Sequence, residues 1–141
     1  MDRKAEAHWT GDLKSGGGRV KLGSGAFEGP YSFISRFESG GDTNPEELLG
    51  AAHAGCFSMA LSLALSLAGH VPTSIDTTAT VHLEKGATGF AITGIDLVTR
   101  GVVPGVDADT FKRLAEETKK GCIVSRALSA VPMRLEAQLA G

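Results

Sequence analysis

Asn44-Pro45-Glu46-Glu47-Leu48-Leu49-Gly50-Ala51-Ala52-His53-Ala54-Gly55-Cys56-Phe57-Ser58-Met59-Ala60-Leu61-Ser62 opens with the chemistry of a helix start and then turns almost wholly apolar. Thr43 or Asn44 can cap, Pro45 suits the first helical position, and Glu46 and Glu47 favour the positive end of the helix dipole. The apolar run continues to Ala68, with Gly69 as the stop and Pro72 just beyond it. A helix apolar nearly all round is expected to be central and buried. Ser58, Ser62 and Ser66 form a small-residue stripe that lets another helix approach closely, within the fold or across a dimer.

The flanking segments read as strands and turns. Glu6 to Thr10 alternates weakly, Gly11-Asp12 and Ser15 to Gly18 punctuate, and Arg19 to Leu22 alternates polar with apolar. Tyr31 to Phe37 reads as a further strand, with Tyr31, Phe33, Ser35 and Phe37 on one face and Arg36 on the other. Thr77 to Leu83 and Phe90 to Val98 form the arms of a hairpin around Lys85 to Gly89. Asp107 to Asp109 starts a second helix that runs through Lys120, with Phe111, Leu114 and Ala115 at core spacing, and Gly121 breaks it. Cys122 to Leu128 reads as a short helix and Met133 to Leu139 as a closing strand. The expected class is α+β, an antiparallel sheet packed on one long buried helix.

Residues 1–141 are expected to form a single domain, long enough to bury a core without staples. With 14 basic and 16 acidic residues, the chain has no electrostatic footprint for nucleic acid and no polybasic run for a membrane. Two cysteines are too few for a secreted disulfide scaffold, and the charged N-terminus carries no apolar leader segment. A cytoplasmic protein is therefore expected. No GxGxxG or GxxxxGK[ST] pattern is present, so nucleotide binding is not indicated.

Cys56 is the first candidate for chemistry. A thiolate is the reactive form, and a free thiol titrates near ~8.5, higher when buried. Cys56 lies about ten residues into its helix, beyond the reach of the helix dipole. A reactive Cys56 therefore needs a cation from elsewhere; otherwise it is a small core residue. Arg36, in an apolar setting, is costly unless paired or turned to water. Turned inward, it could hold Cys56 ionised while Glu46 or Glu47 held its guanidinium. Glu46 and Cys56 stand about 15 Å apart along a straight helix. Either the segment folds back, or a second chain completes the site. His53, one turn before Cys56, could be a general base, half of a metal pair, or plainly packed. A metal would need further ligands from Cys122, His8, His70, His82 or carboxylates, and no spacing supports one. Cys122 opens a short helix whose free N–H groups could favour a thiolate leaving group.

Taken together, the Asn44–Ser62 run, Ala7 to Asp12, Ser35-Arg36-Phe37-Glu38, Pro72 to Ala79, Gly89 to Thr93 and Gly121 to Ser125 strongly resemble the osmotically inducible protein C family. This family is related to the organic hydroperoxide resistance proteins, and the resemblance covers essentially the whole chain. It implies a thiol peroxidase of oxidative and osmotic stress defence, reducing organic hydroperoxides to alcohols. Cys56 would be the peroxidatic cysteine and Cys122 the resolving one, closing a Cys56–Cys122 disulfide. Arg36 would be the thiolate partner and Glu46 the carboxylate that orients it. An intertwined homodimer is implied, which answers the objection of distance, and so is an external dithiol reductant, possibly of lipoyl type. No metal or other cofactor is called for. Phe33, Phe37 and Phe57 suggest an apolar wall that rewards an organic tail. Two other readings stand beside this one: a small thiol or acyl ligand-binding protein without turnover, and a metal-binding module using His53 and Cys56.

Overall fold

The computed structural model describes residues 1–140. The chain divides into two compact units, Met1–Leu48 and the remainder from Leu49.

In the first unit, β1 (Ala5–Thr10), β2 (Gly17–Leu22) and β3 (Glu28–Tyr31) form an antiparallel sheet in that order. The strand expected over Tyr31–Phe37 is overturned. The chain leaves the sheet at Tyr31, and Phe33–Phe37 form a short helix, α1. Ser32 is the cause: its backbone is extended, and its hydroxyl accepts from the Ser35 amide while the Ser35 hydroxyl accepts from the Ser32 amide. This reciprocal cap satisfies two donors locally, which outweighs the period-two pattern of the side chains. Arg36 therefore leaves from the last turn of a helix, not from the back of a strand.

α2 (Pro45–Leu67) starts as the sequence predicts, with Asn44 Oδ1 accepting from the Glu47 amide at 2.8 Å. It ends near Gly69, whose φ of +88° is open to glycine and strained for other residues, and the His70 amide reaches back to the Leu65 carbonyl. From Leu49 onward α2 belongs to the second unit, where Phe57, Leu61 and Leu65 are fully buried. Within this chain the burial is one-sided, because Met59, Leu63 and Leu67 on the same helix are 77%, 61% and 80% exposed.

The second sheet orders β4 (Ser74–Gly86), β5 (Gly89–Val102) and β6 (Met133–Leu139). β4 and β5 form a long antiparallel hairpin that extends beyond the Thr77–Leu83 and Phe90–Val98 arms read from alternation. β6 runs parallel to β5, and that pairing follows from the crossover through α3 (Ala108–Gly121) and α4 (Ile123–Ala127). Asp107 caps α3 by accepting from the Thr110 amide, and Phe111, Leu114, Ala115 and Thr118 make its buried face. The core of this unit joins Phe57, Leu61 and Leu65 to Ile95, Leu97, Val103, Phe111 and Cys122.

Candidate active site

The sequence-predicted residues fall into two clusters. In the first unit, Arg36 and Glu46 are paired. The Arg36 Nη2 donates to Glu46 Oε1 at 2.9 Å, and Nε lies 3.3 Å from both carboxylate oxygens. Glu46 is buried and the Arg36 side chain half-exposed. The guanidinium also lies 5.1 Å from the centre of the Phe37 ring, which in turn packs on Phe33. A planar fork held by a buried carboxylate and an aromatic face is fixed in direction, which a lysine could not reproduce. The choice between Glu46 and Glu47 is thereby decided. Glu47 instead accepts from the Thr43 hydroxyl at 2.9 Å. Neighbouring polar bonds brace α1: Ser35 Oγ donates to the Thr43 carbonyl, and Asn44 Nδ2 to the Ser35 carbonyl.

In the second unit, α2 and the junction of α3 with α4 bring the two cysteines together. Both are free thiols, and their sulfurs stand 3.1 Å apart. Cys56 is half-buried on α2, and Cys122 is fully buried. Cys122 closes α3 by donating its amide to the Thr118 carbonyl, and begins α4 by accepting from the Arg126 amide. No side chain caps α4, so the first amides of that helix are left to the sulfurs. Burial pushes the Cys56 thiol up, against the pull of the Val124 and Ile123 amides. Burial also raises Cys122, but the Ser125 amide, the Cys56 thiol, the Ser125 hydroxyl and the Val124 amide outweigh it, and the net direction is down. Two sulfurs this close share their first ionisation, and the α4 amides favour the single negative charge that results.

His53 is fully buried, and burial keeps its imidazole neutral by lowering its pKa. Its Nε2 lies 2.7 Å from Ser125 Oγ, and among the described residues Nδ1 has no hydrogen-bond partner. Among the described residues, no three His, Cys, Asp or Glu side chains converge as a metal site would require. Phe57 is fully buried in the core of its own unit, so it does not supply the apolar wall expected of it. Sequence reasoning assigned no role to Ser125, although it ends the quoted Gly121–Ser125 segment. Its only signal was its position three residues after Cys122, one helical turn on.

The OsmC-like protein family model matches residues 38–136, and so contains both cysteines and Glu46. The chain belongs to the OsmC-like protein family. It is 56% identical over 131 residues to Peroxiredoxin OsmC of Escherichia coli (strain K12), with 92% of each chain covered, and equally so to Peroxiredoxin OsmC of Shigella flexneri. Its fold is similar to that of an organic hydroperoxide resistance protein from Elizabethkingia anophelis, with a TM-score of 0.73, 23% identity, and 100% and 98% of the two chains covered. An OsmC-like protein from Mycoplasma pneumoniae matches at a TM-score of 0.74 and 15% identity, with all of both chains covered. At these identities the solved structures speak for the α+β fold alone.

Proposed function

We propose that this OsmC-like chain is a thiol-dependent peroxidase that reduces organic hydroperoxides to alcohols. The observation that carries the reading is the pair of free sulfurs 3.1 Å apart at the head of α4, in a chain 56% identical to a protein named a peroxiredoxin. Cys56, the more exposed sulfur, attacks the terminal peroxide oxygen as a thiolate. The O–O bond breaks, the alcohol leaves with a proton, and Cys56 becomes a sulfenic acid. Cys122 then displaces the sulfenic oxygen as water and closes the disulfide. An external dithiol restores both thiols by exchange through a mixed disulfide.

Arg36 is the cation we assign to the Cys56 thiolate, with Glu46 as the carboxylate that orients it. The assignment rests on the family resemblance and on the rigid Arg36–Glu46 pair. Alkyl hydroperoxides are the proposed substrates, a lipoyl-type dithiol the proposed reductant, and the cytoplasm the proposed compartment. A homodimer is proposed as the working form. The exposed Met59, Leu63 and Leu67 row supports it, because a soluble helix with a second apolar face needs something to bury that face.

The test is non-reducing mass spectrometry of fully reduced protein after one equivalent of cumene hydroperoxide. A two-hydrogen loss mapping to a Cys56–Cys122 cross-link, with cumyl alcohol released, is the expected result. Persistence of the peroxide beside unmodified Cys56 would remove the peroxidase reading. Faster turnover of hydrogen peroxide than of cumene hydroperoxide would remove the substrate preference alone.

A further inference from the structure

The imidazole of the buried His53 is hydrogen-bonded to Ser125, and Ser125 stands one helical turn from a reacting cysteine. His53 Nε2 and Ser125 Oγ are 2.7 Å apart. Ser125 stands one helical turn after Cys122 at the start of α4, where its hydroxyl and amide pull the Cys122 thiol down, and the Cys122 sulfur lies 3.1 Å from that of Cys56. His53 is 0% exposed and Ser125 3% exposed, so the line of atoms is shielded from solvent. A histidine serving only to fill the core would ordinarily satisfy both ring nitrogens, whereas here Nδ1 has no partner among the described residues and Nε2 is directed at Ser125.

A hydroxyl has one proton to donate. Ser125 can accept from the Cys122 thiol and donate to His53 Nε2, or accept from Nε2–H and donate to a Cys122 thiolate. Passing from the first arrangement to the second moves one proton from sulfur to imidazole. We propose that Ser125 and His53 form a proton relay that takes the Cys122 proton as Cys122 attacks the Cys56 sulfenic acid. The inference rests on the peroxidase reading above. In the step, the Cys122 proton passes to the Ser125 oxygen while the Ser125 proton passes to His53 Nε2. The freed sulfur electron pair forms the S–S bond and the S–O bond breaks. The departing hydroxide takes up one proton and leaves as water, and His53 returns to neutrality once its borrowed proton is given back. The sum is thiol plus sulfenic acid giving disulfide plus water. Burial leaves the His53 ring unprotonated at rest, so one ring nitrogen is free to accept, and the same burial favours the prompt return of the borrowed proton. Ser125 touches the reacting sulfur and is the catalytic member; His53 acts through it and is the positioning one.

The two steps can be timed separately by rapid quench of reduced protein with cumene hydroperoxide, trapping sulfenic acid with dimedone and mapping the disulfide by mass spectrometry. In His53→Gln and Ser125→Ala, the formation of sulfenic acid is expected to stay within about twofold of the parent chain. Disulfide closure is expected to slow by about 100-fold, so that the dimedone adduct accumulates. Ser125→Thr, which keeps the hydroxyl, is expected to restore closure. Closure at the parent rate in both variants overturns the relay. So does an equal slowing of both steps with a lowered melting temperature and no rescue by threonine, which is the mark of a packing role. If the parent chain itself forms no dimedone adduct and no disulfide, the peroxidase reading falls and the relay with it.

Discussion

Arg36 is held by Glu46 through both Nη2 and Nε, and this geometry depends on a planar fork meeting a buried carboxylate. Lysine at this position keeps the charge but offers a point donor on a flexible stem. Arg36→Lys is expected to lower kcat/KM for cumene hydroperoxide by about 100-fold, the scale seen when one oriented electrostatic stabiliser is removed. Its melting temperature should change little, because the Arg36 side chain is 39% exposed. An unchanged kcat/KM would take Arg36 out of the mechanism. At this scale the sequence marked Cys56, Cys122, Arg36 and Glu46 through motif resemblance, and the Arg36–Glu46 bond and the sulfur contact are now geometric facts. Ser125 went unassigned because its hydrogen-bond partner His53 lies on another helix, 72 residues away.

At the scale of elements, α3 seats Phe111 against β5 at Gly101. A β-carbon at Gly101 would lie 2.5 Å and 2.7 Å from ring atoms of Phe111, which is fully buried. Gly101→Ala is therefore expected to destabilise the protein by about 1–3 kcal/mol, the usual cost of overpacking a core. Urea unfolding reads this as a lower midpoint with an unchanged slope. An unshifted midpoint would mean that α3 slides on the sheet to make room. Elements with strong local signals matched their expectation: the Asn44-capped start of α2, the Asp107-capped α3 and the closing strand β6. The segment around Ser35 did not. Its alternating aromatic pattern suited a strand, but two serine hydroxyls made a helix cap out of the same residues.

For the whole molecule, the decisive feature is that α2 is apolar on two faces while this chain buries one. Phe57, Leu61 and Leu65 enter the core, and Met59, Leu63 and Leu67 do not. Along the same helix, Ser58, Ser62 and Ser66 line a groove of about 620 Å³ with Pro72 to Ile75. In the proposed homodimer the exposed row is covered by the second copy. Leu63→Glu is then expected to give a monomer in sedimentation velocity where the parent chain sediments as a dimer. A dimeric Leu63→Glu chain would place the dimer contact elsewhere.

Helix starts, strand alternation and the cysteine-bearing motif are local or pairwise in sequence, so the chain alone determined the α+β class, nearly every element and the family. Three things needed the tertiary structure: the parallel seating of β6, the meeting of Cys56 with Cys122, and the hydrogen bond from His53 to Ser125. Each joins residues far apart in the chain whose approach is set by how helices and strands pack, and no side-chain pattern within one segment records that distance.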